Sequence, residues 1–363
     1  MVNVEEIRDY AAGLLEKGEV KSVLGFRRGS ASAFAEPCTI TNVGEAASLV
    51  WDPTCLNNLA LYLVKDRKQQ AVSKTPDTRP VGIVAKGCDS RAIGVLLQEN
   101  YFKREDVVVI GVSCEGTGVV DPRKLSAKLK GRTASRVTFA VQGSTSVAGG
   151  RTPGATDGAD GINVSVYGDE TETVIPAREV LADRCLECRA AAPALNDVVF
   201  GNTVEARDFN EPFHAAKEAE RLSEDERWAT WERHFDRCLR CFACRAVCPM
   251  CYCPECVVDS TTFVVTLGTS AEEKANRIRW CERSANTSES AVYHLTRAIH
   301  LAGRCIDCGE CERVCPVNIP LRLLNTKLEK EAFEMFEYQA GHDIEQASLL
   351  SSFRDEDPNS FIR

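Results

Sequence analysis

The chain has 363 residues, of which 27% are charged and 44% hydrophobic, and its formal net charge is −9. This length predicts about two domains, and the composition is that of a globular protein, which excludes a disordered chain. Apolar runs such as 107–112 are far shorter than the roughly 20 residues that cross a membrane. The first residues carry no apolar signal segment, so we expect a cytoplasmic protein. The acidic balance argues against a nucleic-acid partner, because phosphate binding needs a basic surface.

The sequence contains 18 cysteines but only 3 methionines. In a short secreted chain such a number predicts disulfides. A long chain without an export signal is expected in a reducing compartment, where disulfides are rare. Metal binding is therefore the leading explanation, and the spacing of the cysteines decides it.

The first part of the chain, residues 1–204, has the pattern of an α/β domain. Short apolar runs at 81–85 and 107–112 flank a segment, 91–100, whose apolar residues recur at helical spacing. Strand, helix and strand within about 30 residues predict a parallel unit. A Gly/Ser/Thr-rich loop follows at 143–161, and it is either a surface loop or a phosphate-binding loop. Two further strands are predicted at 162–166 and 172–175.

The second part, residues 205–336, is predicted to be mainly α-helical. Trp228, Trp231 and Phe235 recur at three- and four-residue steps, which predicts the buried stripe of a helix. Residues 337–363 form a polar tail, either disordered or ordered on a partner. The fold class is therefore an α/β domain followed by a mainly helical domain. Further helices of this second part are predicted at 271–283, 288–303 and 321–336.

Two cysteine runs in the helical part have the spacing C-x-x-C-x-x-C-x-x-x-C-P. This is the bacterial 4Fe-4S pattern, in which three close cysteines hold one cluster and the fourth holds the other cluster. Structural zinc is the alternative, but its usual spacing is two C-x-x-C pairs that lie further apart. The first set of predicted ligands is Cys238, Cys241, Cys244 and Cys315, and the second set is Cys305, Cys308, Cys311 and Cys248.

These eight cysteines, with Pro249 and Pro316, resemble the dicluster ferredoxin family. The 56 residues between Cys248 and Cys305 are mostly helical in pattern, whereas compact ferredoxins have a short link. The region is therefore more similar to the α-helical ferredoxin domain of succinate dehydrogenase and heterodisulfide reductase subunits. The resemblance implies an electron relay, because each cluster passes one electron at a time.

Additional cysteines follow the first run, in a position where ordinary dicluster ferredoxins have none. Four thiols in this arrangement suit a further iron–sulfur cluster or a structural zinc, and the alternative is a group of thiols without metal. We call these four the fourth set, which is Cys251, Cys253, Cys256 and Cys281.

In the α/β part, Cys88 and Cys114 each follow a predicted strand, and Cys185 and Cys188 form a C-x-x-C pair. Parallel sheets build their sites at the carboxyl ends of strands, so these two pairs together would make another four-cysteine site. We call Cys88, Cys114, Cys185 and Cys188 the third set. The alternative is four unliganded buried thiols.

The segments 86–88, 110–114 and 184–201 resemble the coenzyme F-420 hydrogenase/dehydrogenase β-subunit family. In that family such cysteines hold a 4Fe-4S cluster beside a flavin, which implies a cluster for the third set and FAD as a cofactor. The sequence has no complete G-x-G-x-x-G motif, and Gly116 to Gly118 are only a fragment of one. Cys38 and Cys55 have no evident cysteine partners and are interpreted as core residues.

The sequence thus predicts an iron–sulfur electron-transfer subunit of an anaerobic multi-subunit oxidoreductase of the formate dehydrogenase, hydrogenase or heterodisulfide reductase type. Its partners would be other redox subunits. One alternative is a flavoenzyme subunit that itself oxidises or reduces a deazaflavin or nicotinamide. A second alternative is a non-redox protein stabilised by metal.

Overall fold

The structure is a computed structural model that describes residues 2–30, 33–114, 118–141, 162–168, 171–202, 211–254, 256–259, 268, 270–275, 284–350 and 352–353. The chain divides into two compact units. The first comprises Met1–His214 with Gly341–Gln346, and the second comprises Ala215–Ala340 with Ala347–Arg363. The predicted order, an α/β region followed by a helix-rich region, is confirmed.

The regular elements are numbered in chain order. The strands are β1 Ser22–Arg28, β2 Ala35–Ile40, β3 Val81–Ala85, β4 Val107–Val112, β5 Arg136–Val141, β6 Ile162–Gly168, β7 Thr171–Pro176 and β8 Val198–Phe200. The helices are α1 Val4–Glu16, α2 Ala60–Val72, α3 Gly87–Gln98, α4 Pro122–Leu129, α5 Ala177–Val180, α6 Asp183–Leu186, α7 His214–Glu220, α8 Glu224–Asp236, α9 Ala243–Ala246, α10 Ala271–Ala275, α11 Thr287–Leu301, α12 Glu310–Arg313 and α13 Leu321–Phe336.

A five-stranded sheet with the order β2-β1-β3-β4-β8 forms the centre of the first unit. Strands β1, β3, β4 and β8 are parallel, and β2 pairs antiparallel at the edge. All five residues of β3 are buried, as expected for a parallel strand that is covered on both faces. The predicted strand–helix–strand unit is confirmed as β3, α3 and β4.

Helix α1 covers one part of this sheet. The Asn3 side chain accepts a hydrogen bond from the Glu5 amide at 3.1 Å, which caps the helix at its first turn. Ile7, Ala11 and Leu14 recur on one face and are buried, where they join the aliphatic core of the sheet. Burial of this face stabilises the helix more than its intrinsic propensity does.

A separate antiparallel sheet with the order β5-β6-β7 follows. Its members β6 and β7 confirm the strands predicted at 162–166 and 172–175, and they pair with each other and with β5 instead of extending the parallel sheet. The Gly/Ser/Thr-rich loop predicted at 143–161 lies outside the described residues.

The second unit is built from helices. Helix α11 confirms the helix predicted at 288–303, and α13 has the predicted bounds 321–336. Of the helix predicted at 271–283, the structure describes α10, and residues 276–283 lie outside the described part. No helix among the described residues is long and apolar enough to cross a membrane.

The aromatic stripe predicted on α8 is confirmed only at its carboxyl end. Phe235 is buried and stacks on His294, and Trp231 is half-buried and stacks on Phe235. Trp228 is 54% exposed, so its predicted burial is wrong. The reason is that α8 meets α11 near Phe235 and Asp236, whose carboxylate accepts a hydrogen bond from Thr287, almost two turns beyond Trp228.

The chain returns to the first unit after α13. Residues 341–346 pack on α3, where the Gln98 side chain donates to the carbonyl oxygens of Asp343 at 3.0 Å and Gln346 at 2.6 Å. Gly341 has a φ of +67°, and a Cβ atom there would lie 2.0 Å from the Arg91 carbonyl oxygen. Glycine is therefore required at this close approach.

Candidate metal centres

The first cysteine run folds into a tight loop that ends in a short helix. Arg240 and Phe242 have φ values of 51° and 58°, in the left-handed region that residues other than glycine rarely adopt. Helix α9 follows and carries Cys244. The Arg240 amide points inward and donates to the Cys238 sulfur at 3.4 Å.

The second cysteine run repeats this backbone at equivalent positions. Asp307 and Gly309 have φ values of 53° and 67°, and the four-residue helix α12 follows and carries Cys311. The Asp307 amide donates to the Cys305 sulfur at 3.4 Å. Two runs with the same spacing thus adopt the same loop, which buries Cys244 and Cys311 at equivalent positions and aims a backbone donor at the first sulfur.

The cysteines of both runs contribute directly to the core of the second unit. One buried cluster contains Cys238, Cys244, Cys311 and Cys315 together with the Tyr293 side chain. The described cysteines form no disulfide with one another. Buried thiols of this kind can serve as ligands once a metal deprotonates them, so these residues fit an iron–sulfur cluster.

The two loops face each other around one buried guanidinium. The charges of Cys248 and Cys308 interact across the two loops, and so do those of Cys311 and Cys244. Arg297 interacts with Cys244, Cys248 and Cys311 and donates to the Cys244 carbonyl oxygen at 3.1 Å. A positive charge at this position stabilises the anionic state that thiolate clusters carry.

Helix α11 also presents two side chains to sulfur atoms of the first set. The His294 Nε2 atom lies 3.2 Å from the Cys238 sulfur, and the Tyr293 hydroxyl lies 3.5 Å from the Cys244 sulfur. Burial, with Arg297 and Arg240 nearby, lowers the pKa of His294 to about 3. No hydrogen-bond partner of the His294 Nδ1 atom is found among the described residues.

The third set converges at the carboxyl ends of β3 and β4. Cys114 interacts electrostatically with Cys88, Cys185 and Cys188, and burial raises its pKa well above the ordinary value. Gly118 has a φ of +85°, and a Cβ atom there would lie 2.6 Å from the Cys185 Cβ atom. The structure therefore brings together the four cysteines that the sequence placed in three separate segments.

Buried cations lie beside the third set. Lys86 is 2% exposed and its Nζ atom lies 2.9 Å from the Asp89 carboxylate, which also accepts the backbone amides of Lys86 and Leu59. Arg184 is also buried and donates to the Leu56 carbonyl oxygen at 2.6 Å. Burial raises the pKa of Cys88 to about 12, and both cations oppose that rise. The site therefore favours a thiolate only in the presence of further positive charge, which a metal supplies.

The fourth set is only partly brought together in the described residues. Cys251 accepts a hydrogen bond from Cys248, which lowers the pKa of Cys251 and raises that of Cys248. Cys256 is hydrogen-bonded to Arg245, Cys253 is exposed, and Cys281 lies outside the described residues. Within the described ranges, no three His, Cys, Asp or Glu side chains come close enough to hold a single metal ion.

The two remaining cysteines lie in the first unit. Cys55 is buried and accepts a hydrogen bond from the Asp52 amide at 3.4 Å, and burial raises its pKa to about 12. Cys38 is half-buried in β2, and burial raises its pKa to about 11. These surroundings are those of packed thiols.

Sequence reasoning missed the side chains that surround the sulfur atoms. The five histidines have no paired ligand spacing in the sequence, yet His294 contacts a cysteine 56 positions away. The polarity of α11 gave no signal for these contacts, because His294 and Arg297 lie on its buried face. The apolar side chains of Val292, Leu295 and Ile299 are exposed.

Comparison with known proteins supports the iron–sulfur interpretation. A model of the 4Fe-4S binding domain matches residues 299–320, which contain the second cysteine run. The F420-dependent formate dehydrogenase subunit beta of Methanocaldococcus jannaschii is 23% identical over 91% of this chain and 89% of its own length. The F420-dependent formate dehydrogenase 1 subunit beta of Methanococcus maripaludis is 24% identical over 68% of this chain and 72% of its own length.

Among solved structures, a chain of the F420-reducing [NiFe] hydrogenase complex from Methanosarcina barkeri is 12% identical. It matches 51% of this chain and 58% of its own length with a TM-score of 0.34. The sequence relatives confirm the resemblance that the cysteine segments predicted. The chain is therefore similar to F420-dependent formate dehydrogenase β subunits, and its residues 299–320 match a 4Fe-4S binding domain.

Proposed function

We propose that this chain is an iron–sulfur electron-transfer subunit of a multi-subunit oxidoreductase, and that it relays single electrons between a flavin or catalytic partner and another redox subunit. The observation that carries the proposal is the repeated loop. Two cysteine runs adopt one backbone conformation, with left-handed residues at Arg240 and Phe242 and again at Asp307 and Gly309. Repetition of a conformation unfavourable to most residues indicates a shared task, which is to wrap thiols around a cluster.

The first and second sets would each hold one 4Fe-4S cluster, with the fourth cysteine of each run crossing to the other cluster. The closeness of Cys248 to Cys308 supports the crossing in one direction. In the other direction the crossing rests on the spacing of the second run, because the core cluster that contains Cys315 with Cys238 and Cys244 also contains Cys311. Adjacent clusters are useful as a relay because each accepts and donates one electron.

The third set would hold a further cluster, and its convergence at the sheet edge supports this assignment. The fourth set would hold either another cluster or zinc. The names of the relatives support formate dehydrogenase as the type of complex and a deazaflavin as the distant redox partner. We place the complex in the cytoplasm, where these thiols would stay reduced.

The alternative is a flavoenzyme subunit that binds FAD and itself reduces or oxidises a deazaflavin. The relatives' F420 dependence favours this candidate. Protein purified under anaerobic conditions would then release flavin on denaturation. If denaturation releases no flavin, only the relay role remains.

Iron and acid-labile sulfide analysis of anaerobically purified full-length protein tests the proposal. Two, three or four clusters predict about eight, twelve or sixteen irons per chain. Fewer than about eight irons, or zinc without sulfide, would overturn it. Anaerobic pull-down with identification of the co-purifying chains then tests the role as a subunit.

Cross-ligation has its own test. Cys248→Ser should damage the cluster held by the second set and leave the cluster of the first set intact in electron paramagnetic resonance spectra. Cys38→Ser is the matched control, because it removes a half-buried thiol of the first unit that is packed in a strand. Damage confined to the first set would show that the assignment of the fourth cysteines is wrong.

A further inference from the structure

The surroundings of the two cysteine loops differ although their backbones match. On the first set, two neighbouring residues of α11 reach sulfur atoms: the His294 Nε2 atom lies 3.2 Å from Cys238, and the Tyr293 hydroxyl lies 3.5 Å from Cys244. Both side chains are buried, with exposures of 3% and 1%. Both contacts are therefore shielded from water, which strengthens each hydrogen bond.

The direction of these hydrogen bonds follows from the chemistry of a ligand. A metal-bound cysteine is a thiolate, which has no proton and can only accept. The His294 Nε2–H and the Tyr293 O–H must then both donate. His294 keeps this role in either charge state, because an imidazolium also donates from Nε2.

On the second set, negative charges stand near the sulfur. Glu329 and Asp307 both interact unfavourably with a Cys305 thiolate, but Arg322 offsets part of the Asp307 charge by donating to both of its carboxylate oxygens, at 2.6 and 2.7 Å. Glu329 is buried and accepts the Gly303 amide at 3.1 Å. On Cys311, the Asn325 side-chain amide is a donor at 3.9 Å, which is long for a strong hydrogen bond.

We propose that His294 and Tyr293 hold the reduction potential of the first-set cluster above that of the second-set cluster. This inference rests on the proposed function. Reduction adds one negative charge to a cluster, so donors on its sulfur atoms stabilise the reduced state, whereas nearby carboxylates oppose it. Arg297 interacts with cysteines of both sets and therefore does not produce the difference.

The order of potentials fixes the favoured direction inside the unit. One electron leaves the reduced second-set cluster, which is oxidised, and the first-set cluster is reduced, while no bond is formed or broken. Electrons that a redox partner supplies would therefore collect on the first set. Its Cys241 and the neighbouring Leu239 are exposed in the described residues, which suits a site that delivers electrons outward.

The test is a potentiometric titration of the anaerobic full-length protein, followed by electron paramagnetic resonance. The first-set signal is the one that Cys248→Ser leaves unchanged. In Tyr293→Phe and His294→Leu, we expect its reduced-to-oxidised ratio at a fixed solution potential to fall roughly three- to tenfold, with the second-set signal unmoved. His294→Gln keeps an N–H donor at the position of Nε2 and should restore most of the ratio.

Tyr101→Phe in the first unit is the matched control, because it removes a hydroxyl that contacts the Val64 carbonyl oxygen at 3.4 Å. It should shift neither signal. Equal shifts of both clusters, or no shift in Tyr293→Phe, would overturn the proposal. If His294→Leu does not fold, Tyr293→Phe still decides, since it removes one oxygen atom. If the unmodified protein contains no iron, the proposed function is wrong. If the clusters are intact but their reduction potentials are the same in the variants as in the unmodified protein, only this inference is wrong.

Discussion

The two units hold their cysteines in opposite ways. In the first unit, the third set lies at the carboxyl ends of β3 and β4. The core that packs on this sheet is aliphatic, and residues such as Val23 and Ile110 are fully buried in it. In the second unit, Cys238, Cys244, Cys311 and Cys315 are themselves members of the core. The third set therefore lies beside a hydrophobic core that packs without it, whereas the cysteines of the second unit are themselves part of the packed core.

This difference teaches how each unit should respond to loss of its metal. Core thiols around an absent cluster would leave empty volume and unpaired polar groups, both of which are costly. The five-stranded sheet of the first unit has continuous aliphatic packing, so its side chains should stay buried when metal is lost. Metal binding should therefore be coupled to folding in the second unit and nearly uncoupled in the first.

Removal of iron should have the largest effect. With a chelator under reducing anaerobic conditions, we expect the amides of α11 and α13 to lose hydrogen-exchange protection, while those of β3 and β4 keep it. The measurement is hydrogen exchange followed by mass spectrometry. Equal loss of protection in both units would contradict the comparison.

The next effect concerns the scaffold of the first unit. Asp89→Asn should destabilise it by about 3–5 kcal/mol, because Lys86 is left as a buried unpaired charge. Denaturant unfolding of the holo-protein measures this change. The matched control is Asp77→Asn, which breaks an exposed pair with Arg79 and should leave unfolding almost unchanged. A small effect of Asp89→Asn would show that the sheet does not depend on this pair.

A more local effect is expected at Gly118. Gly118→Ala places a Cβ atom against Cys185, so the third site should lose roughly four irons while the signals of the first and second sets persist. Gly131→Ala is the control, because Gly131 has a similar φ of +88° with nothing within 4 Å. Loss of iron in both variants would point to backbone strain instead of contact with the cysteine.

The smallest effect is predicted at Gly341. Gly341→Ala should cost about 1–2 kcal/mol from the left-handed backbone alone, with a further cost from the contact with Arg91. Limited proteolysis should then cut near residues 341–346 faster than in Gly131→Ala. Unchanged cleavage would mean that this segment does not depend on its packing against α3.

Local spacing made the first and second sets predictable, since each run lies within eleven residues and its chemistry is visible in the order of cysteines. The placement of Cys88 and Cys114 near each other was predictable because they follow neighbouring parallel strands, whose carboxyl ends lie at one edge of the sheet. The contacts of His294 and Tyr293 were not, because α11 buries polar side chains such as Arg297 and exposes apolar ones such as Ile299, the reverse of what periodicity predicts. The wrong prediction for Trp228 has a related cause: periodicity shows a face but not where the neighbouring helix ends.

The return of residues 341–346 to α3 means that the polypeptide passes between the units three times, at 214–215, 340–341 and 346–347. Each unit is therefore built from two separate stretches of the chain. A fragment that ends at residue 214 would lack residues 341–346, which contact Gly94 and Gln98. Both of these residues would then be exposed to solvent. Supplying 341–346 as a separate peptide, or relocating it behind residue 214, would be needed to recover the first unit by itself.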